Sequence, residues 1–463
     1  MGHAPVVGEI LVGVVLGPTL LGRAAPVFHK LLFPEDPIQQ SMLDVVSWFG
    51  VLFLLLETGL VIDVSAAWRQ RGPALRIGVV GVLVPLIVGS LLSYGLPDRY
   101  LADADGRVVF ALFLGTTMAI SAMVIIARVL QDLDLVKSDL GLVTLCGYAV
   151  NDILAWVIFS LVVGAATQAS LDWMTVLYLL ASNVAFTALS LTAGLRFVSA
   201  TISRIHTGLP ERPGVILTFV CCLGLGCGAF TQWLGLTALF GFFLAGIMAG
   251  QTRALTERNR SIISQMVHAI FVPLYFAGLG LRFDFFGNFD LLLVLFVTVV
   301  SLTVKFAGAW LGALGKEISP EDRLSIGIAF TPSGVTGIVV AGVALDYHII
   351  STPIFVAIVF SAIASALLVA PWLSWSIRRR GEVDLLRYLP PEAVLTQLSG
   401  SDRFDVIAEL CGVATKAGGI PAETLAADVH ERERLMGTAT GGGVAIPHAR
   451  IESLQRPVLA FGR

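Results

Sequence analysis

Twelve apolar stretches, each close to twenty residues long, take up most of this chain and leave few folds open to it. They fall near residues 5–22, 43–62, 74–96, 108–130, 140–168, 173–198, 214–233, 235–250, 262–281, 289–315, 324–345 and 352–376. A helical run of that length matches the hydrocarbon thickness of a bilayer. In lipid only helices and closed barrels satisfy every backbone donor and acceptor, and a barrel strand needs about half this length. The expected fold is therefore an all-α membrane protein, a bundle of about twelve transmembrane helices. Composition agrees: 14% of the residues are charged, against roughly 25% in soluble domains, and the mean hydropathy is +0.85. A formal net charge of -3 offers no basic surplus for nucleic acid.

Lys and Arg in the loops set the orientation. After even-numbered stretches come Arg69, Arg71 and Arg76; Arg128 and Lys137; Arg196, Arg204 and Arg212; Arg253, Arg258 and Arg260; Lys316 and Arg323; and Arg378, Arg379 and Arg380. After odd-numbered ones there are only Arg23, Lys30, Arg99, Arg107 and Arg282. The positive-inside rule puts the even loops and the C-terminus in the cytoplasm. The N-terminus, Met1-Gly2-His3-Ala4-Pro5, lacks the charged region and cleavage site of a signal peptide.

Cys146, Cys221, Cys222, Cys227 and Cys411 form no metal-ligand spacing, and four of them lie in apolar runs, so they read as packing residues. No structural metal and no cofactor are expected. Past Arg380 the composition turns mixed, with Pro390-Pro391 at the start and no spanning run, which makes residues 387–463 a small cytoplasmic domain attached to a transmembrane domain at 1–380.

An internal repeat is legible. Gly8, Gly13 and Gly17 in the first stretch have the spacing of Gly241, Gly246 and Gly250 in the eighth; the second ends Gly59-Leu60-Val61-Ile62-Asp63 and the ninth Gly280-Leu281-Arg282-Phe283-Asp284. Seven stretches separate each pair, an odd number, so the copies run in opposite senses across the membrane, as in secondary transporters. The expected repeats are about 5–168 and 214–376, joined by a linker helix at 173–198. The seventh stretch then lacks a counterpart, which should precede residue 5; we expect a first helix missing from this start.

Few charges lie inside the apolar runs: Glu57, Asp152 and Lys305, with Glu9 near the end of the first. Each calls for an explanation, since a central charge costs roughly 2.5–3.5 kcal/mol on insertion scales. Asp152, in Gly147-Tyr148-Ala149-Val150-Asn151-Asp152, has no cation within a helical turn. Removal from water disfavours its ionised form, so it can hold a proton or a small hard cation, but not both. Lys305 can pair with Asp152, titrate itself or brace the core. Glu57 is either functional or a packing residue, and Glu9 reads as structural. The strongest backbone signal is Phe330-Thr331-Pro332-Ser333-Gly334-Val335-Thr336-Gly337, where Pro332 removes a donor and two glycines weaken the helix. Free carbonyls at such a break suit a transported ion. The corresponding Gly115-Thr116-Thr117-Met118-Ala119-Ile120-Ser121 has hydroxyls but no proline.

These motifs, with Pro5-Val6-Val7-Gly8-Glu9-Ile10-Leu11-Val12-Gly13-Val14-Val15-Leu16-Gly17-Pro18, resemble the bacterial cation:proton antiporter-2 family over about residues 4–376. The resemblance implies two crossed broken helices, a mobile core domain and a dimerisation domain, hence a homodimer. By position, Asp152 resembles the ion- and proton-binding carboxylate, and Asn151 falls where electrogenic relatives have a second aspartate. Lys305 matches the core lysine that partners that position, and Thr117, Ser121, Thr331 and Ser333 lie at the ion site around Pro332 and Gly334. Ile120 departs from the threonine of many members. The tail, from Arg432-Glu433-Arg434-Leu435-Met436-Gly437-Thr438 to Gly441-Gly442-Gly443-Val444-Ala445-Ile446-Pro447-His448-Ala449-Arg450, resembles the fructose/mannitol-type enzyme IIA domain of the sugar phosphotransferase system, with His448 on the phosphoryl-accepting histidine. That implies phosphotransferase proteins as partners. The chain stops fifteen residues after His448, about half-way through such a domain, so a partial α/β domain is expected in place of an active acceptor.

The expected function is secondary active exchange of sodium or potassium for protons by alternating access around Asp152, in the bacterial inner membrane and without enzymatic activity. Three alternatives share parts of this pattern: a ligand-gated potassium efflux system, a sodium-coupled organic-solute symporter, and a non-transporting sensor coupled to the phosphotransferase system. Against the first, Asn151 stands where that family often has glutamine, and the tail shows no nucleotide-binding Gly-x-Gly-x-x-Gly. The second would place more polar side chains at the crossing.

Overall fold

The computed structural model describes residues 5–463 except 35, 65–71, 103–105, 168–172, 209–212, 253, 316, 380–388, 419–420, 436, 442, 450 and 452–457. Met1, Gly2, His3, Ala4, Arg69, Arg71, Arg212, Arg253, Lys316, Arg380, Met436, Gly442 and Arg450 therefore lie outside the described residues. The chain divides into two units, Met1–Leu133 with Val143–Trp375, and Asp134–Leu142 with Ser376–Arg463.

Helices carry the apolar stretches. They are α1 (Pro5–Leu16), the short α2 (Leu21–Ala24) and α3 (Pro26–Leu32), α4 (Pro37–Val61), α5 (Pro73–Tyr94), α6 (Arg107–Ala119), α7 (Met123–Asp132), α8 (Asp139–Ala166), α9 (Trp173–Leu189), α10 (Leu195–Gly208), α11 (Pro213–Trp233), α12 (Ala238–Gly250), α13 (Glu257–Met266), α14 (Val272–Arg282), α15 (Leu291–Gly312), α16 (Pro320–Ala329), α17 (Gly334–Asp346) and α18 (Thr352–Arg378). Single π turns, Ser190–Gly194 and Val267–Phe271, join α9 to α10 and α13 to α14. Among the described residues nine helical spans are long and apolar enough to cross a membrane, and the bent pair α16–α17 brings the number to ten. The other two expected stretches are shorter than anticipated. The helices α1 and α12 have 12 and 13 residues, reaching about 18–20 Å at 1.5 Å per residue against roughly 30 Å of hydrocarbon. Gly17-Pro18 ends the first of them, because the residue before a proline avoids helical dihedrals.

Two groups of helices pack closely within the first unit. In one, α4 packs on α12 and α14, α1 on α14, and α11 on α12; in the other, α5 packs on α6 and α15, α15 on α16, and α17 on α6. The repeated glycines make the tightest contacts of the first group. A Cβ at Gly13 would lie 2.3 Å from the Ala277 carbonyl, and one at Gly280 would lie 2.6 Å from the Gly13 Cα. The other copies do the same: a Cβ at Gly246 would lie 2.0 Å from the Leu56 carbonyl, and one at Gly59 would lie 3.0 Å from the Gly246 Cα. The ends are tied alike, Thr19 donating to the Phe283 carbonyl at 3.1 Å and Gln251 to the Ile62 carbonyl at 2.6 Å. Absence of a side chain is what lets these backbones touch.

In the second unit α19 (Arg403–Gly418) packs on α20 (Ala422–Leu435) around Ile407, Cys411 and Val429. Strand β1 (Val394–Leu395) pairs in parallel with β4 (Phe461–Gly462), and β2 (Ala439–Gly441) pairs antiparallel with β3 (Val444–Ala445) across a bulge. The mixed sequence after the last span thus gives two helices and a few short strands.

Gly246→Ala should lower the stability of the purified protein in detergent by about 1–3 kcal/mol, as overpacking does. Gly226→Ala, where a Cβ would meet nothing within 4 Å, should leave stability unchanged or slightly raised. Thermal unfolding of the two variants checks this, and equal losses at both sites would remove the close-approach argument.

Candidate functional site

Both helix breaks form, and they lie against each other. Helix α6 stops at Ala119, Ile120 and Ala122 take extended dihedrals, and α7 restarts at Met123. Helix α16 stops at Ala329, and α17 starts at Gly334 with a bend of 42°. The Ala122 amide donates to the Pro332 carbonyl at 2.9 Å, and the Ser121 hydroxyl donates to the Phe330 carbonyl at 3.0 Å. Gly334 has φ +53, and a Cβ on it would lie 2.5 Å from the Ala122 Cβ, so both conformation and contact require glycine there.

Lys305 holds the crossing. It projects from α15, is 1% exposed, and donates at 2.6 Å to the Ile120 carbonyl of one break and at 2.6 Å to the Ser333 hydroxyl of the other. The Ser333 amide donates to the Ser365 hydroxyl of α18 at 3.2 Å. Asn151 Nδ2 donates to the Ala119 carbonyl at 3.4 Å, and the Tyr148 hydroxyl donates to the Ala329 carbonyl at 2.6 Å while its ring stacks on Phe330. The carbonyls of Ala119, Ile120, Ala329 and Phe330 each hold one side-chain donor, which leaves each a second lone pair. Lipid gives a broken helix no water to bond, so neighbouring side chains must fill the gaps. The negative C-terminal ends of α6 and α16 favour a cation, which suits the lysine.

Acceptor oxygens, by contrast, remain open on α8. The Asn151 Oδ1 is buried and has no hydrogen bond among the described residues. Asp152 is 3% exposed, and among the described residues no hydrogen bond or ion pair reaches its carboxylate. No ion pair joins Lys305 to Asp152 among the described residues either, so of the three roles open to the lysine its geometry fits bracing. Thr117 and Thr331 are buried and donate to carbonyls of their own helices, Phe113 at 3.0 Å and Ile328 at 2.7 Å, which keeps lone pairs on their oxygens. Tyr148 and Ser365 also bond the breaks, although the sequence did not single them out. The signal for Tyr148 was a hydroxyl one turn before Asp152 in an apolar run, and Ser365 carried none beyond its small size.

Glu57 and Glu9 stand apart from the crossing. Glu57 lies 3.1 Å from His268 of the π turn Val267–Phe271, a histidine that the charge inventory did not include. Glu9, on α1, has a buried oxygen with no hydrogen bond among the described residues.

In the second unit His448 Nε2 is 3.3 Å from the Asp139 carboxylate and Nδ1 is 3.0 Å from the Ile446 carbonyl. Both ring nitrogens face acceptors, a pattern that only the doubly protonated imidazolium satisfies. The Asp139 hydrogen bond, opposed by partial burial, raises the His448 pKa above the ordinary histidine value. The buried Arg432 donates to the same carboxylate at 2.8 Å. A ring so held has no lone pair with which to attack a phosphoryl group.

Residues 2–376 match the family described as sodium/hydrogen exchanger, transmembrane, and residues 387–463 match the EIIA 2 domain of the phosphoenolpyruvate-dependent sugar phosphotransferase system. The chain is 28% identical over 372 residues to Cation/H(+) antiporter 17 of Arabidopsis thaliana, covering 79% of this chain and 44% of that protein. It is 26% identical over 371 residues to the Na(+)/H(+) antiporter NhaS4 of Synechocystis, covering 79% and 89%, and 25% identical over 374 residues to an Na(+)/H(+) antiporter of Enterococcus hirae, covering 79% and 91%. It therefore spans less than half the length of the plant relative. Among solved structures, the sodium proton antiporter MjNhaP1 from Methanocaldococcus jannaschii superposes with a TM-score of 0.60 at 16% identity, over 81% of this chain and 92% of that one, a likeness of fold.

His448 should titrate above the usual value of about 6.5. A raised folded pKa stabilises the second unit fully below the unfolded value, and that contribution is lost as pH rises through the folded one. Imidazole NMR of the full chain in detergent, assigned with His448→Gln, reads the midpoint, and Asp139→Asn should lower it. A midpoint at or below the ordinary value would refute the pairing.

Proposed function

The chain belongs to the sodium/hydrogen exchanger family, and on that footing we propose that it exchanges sodium or potassium for protons by alternating access around Asp152. The observation that carries this reading is the pair of open buried acceptors, Asn151 Oδ1 and the Asp152 carboxylate, on α8 beside two crossed breaks that Lys305 ties together. A hard monovalent cation needs oxygen ligands and a countercharge. Asp152 supplies the charge, and Asn151, with the lone pairs of Thr117 and Thr331, supplies neutral oxygen. A proton on Asp152 cancels that charge, so cation and proton exclude each other. This exclusion couples their movements.

The printed names of the relatives, cation/H+ and Na+/H+ antiporters, support the same substrates. The glycine contacts support the inverted repeat: pairing α1 with α12 and α4 with α14 turns the α1–α14 contact into the α12–α4 contact. The loop charges support an orientation with the tail on the cytoplasmic side, and the bacterial relatives support a bacterial cytoplasmic membrane. A homodimer, and phosphotransferase proteins acting on the tail, complete the reading.

Asp152→Asn should abolish the proton movement that sodium or potassium triggers in inverted vesicles while membrane insertion is kept. Retained exchange in that variant would end the mechanism. The stoichiometry follows from a charge count. Asn151 cannot titrate, and in the simplest cycle Asp152 alone exchanges its cation for a proton while Lys305 stays bonded across the two breaks, so one cation crosses for one proton. In liposomes clamped with valinomycin and potassium, sodium-driven exchange should be insensitive to the imposed potential. A rate that follows the potential strongly would move a second proton to Lys305.

A further inference from the structure

Three helices turn matching faces toward one seam in the first unit. On α17 the face comprises Val339, Gly342, Val343 and Asp346; on α14, Tyr275, Gly278, Leu279 and Arg282; on α4, Asp44, Ser47, Trp48 and Val51. Each set has the spacing i, i+3, i+4, i+7, a single helical stripe. The seam is layered along α17, which starts at the crossing and rises about 1.5 Å per residue. Nearest the crossing, the Tyr275 hydroxyl donates to the Val339 carbonyl at 3.4 Å and occupies the notch left by Gly342, where a Cβ would lie 2.5 Å from it. Next comes a cavity of about 10 Å³, at the lower limit for one water molecule, lined in part by the Ser47 hydroxyl, which has no hydrogen bond among the described residues. At the far end Arg282 bonds Asp44 of α4 through Nη2 and Asp346 of α17 through Nη1, the latter at 3.2 Å.

We propose that Arg282, held between Asp44 and Asp346, is the latch that closes the extracytoplasmic route to the ion site and must release before the cation exchanges on that side. All three charged residues lie at the ends of their stretches that adjoin odd-numbered loops, which the positive-inside rule places outside the cytoplasm. The helices α4 and α14 belong to the glycine-packed group, whereas α17 is half of a broken helix tied through Ser333 and Lys305 to the other group. Arg282 thus spans the boundary between two bodies that alternating access must separate. A network whose side chains are 27–49% exposed holds weakly enough to open in each cycle. The conclusion rests on the antiport reading for its purpose and on these contacts for its place.

The test is thiol accessibility at Ser47, replaced by Cys in a full-length chain whose five native cysteines have been substituted, in vesicles exposed to a membrane-impermeant maleimide on the extracytoplasmic face. With Arg282 present, labelling should be slow. Arg282→Ala should speed it roughly tenfold, the scale of a broken charge network, and Arg282→Lys should restore part of the protection. Where Arg282→Ala does not fold, Asp346→Asn should give the same increase. Unchanged labelling in the folded variants, with exchange intact in the parent, would overturn the latch alone. Faster labelling in a parent that exchanges no ions would leave the latch standing and overturn the antiport reading instead.

Discussion

The side chain of Lys305 is the contact on which the crossing of the two helix breaks depends. Two transmembrane helices stop in mid-membrane, and each stop leaves backbone groups that lipid cannot bond. One side chain, 1% exposed, reaches both stops at 2.6 Å, through a carbonyl of the first and a hydroxyl of the second. Asn151, Ser121 and Tyr148 fill the carbonyls that the lysine does not reach. These bonds tie the two breaks together, and beside them, among the described residues, the Asn151 Oδ1 and the Asp152 carboxylate hold no hydrogen bond. An unfilled acceptor is costly when buried, and a cation or a proton relieves that cost. The proposed exchange would draw on the acceptors that this bonding leaves over.

Much of this was legible in the sequence, and the parts that were not have identifiable causes. Apolar length reported the spans because hydrocarbon thickness is a fixed ruler, and Asp152 was conspicuous because charges in such runs are rare. Pro332 and Gly334 announced one break through their own backbone chemistry. The break at Ile120 carried no such mark: α6 ends where tertiary partners, Lys305 and the facing Pro332 carbonyl, stabilise extended backbone, and no local residue type encodes that. The donors on the carbonyls were equally hidden, since Tyr148 and Lys305 lie far along the chain from the groups they bond. The shortness of α1 and α12 escaped a reading by hydropathy because Leu20 and Leu21 beyond Gly17-Pro18, and Leu234 and Leu236 before Thr237, extend the apolar runs past the helices.

The repeated glycines explain why some boundaries in this bundle are fixed and others can part. Where α12 meets α4 and α1 meets α14, backbone touches backbone with no side chain between. Such surfaces cannot slide without opening a void or striking a carbonyl, so those helices move as one body. The seam between α17 and its neighbours α4 and α14 is built differently. Its contacts are a long tyrosine hydrogen bond, a cavity with room for one water at most, and a solvent-facing ion network, each of which water replaces at small cost. A cycle that carries Asp152 between two aqueous faces needs rigidity at the site and a weak boundary beside it. In the proposed cycle the glycine contacts and Lys305 would supply the first, and the stripe from Tyr275 to Arg282 the second.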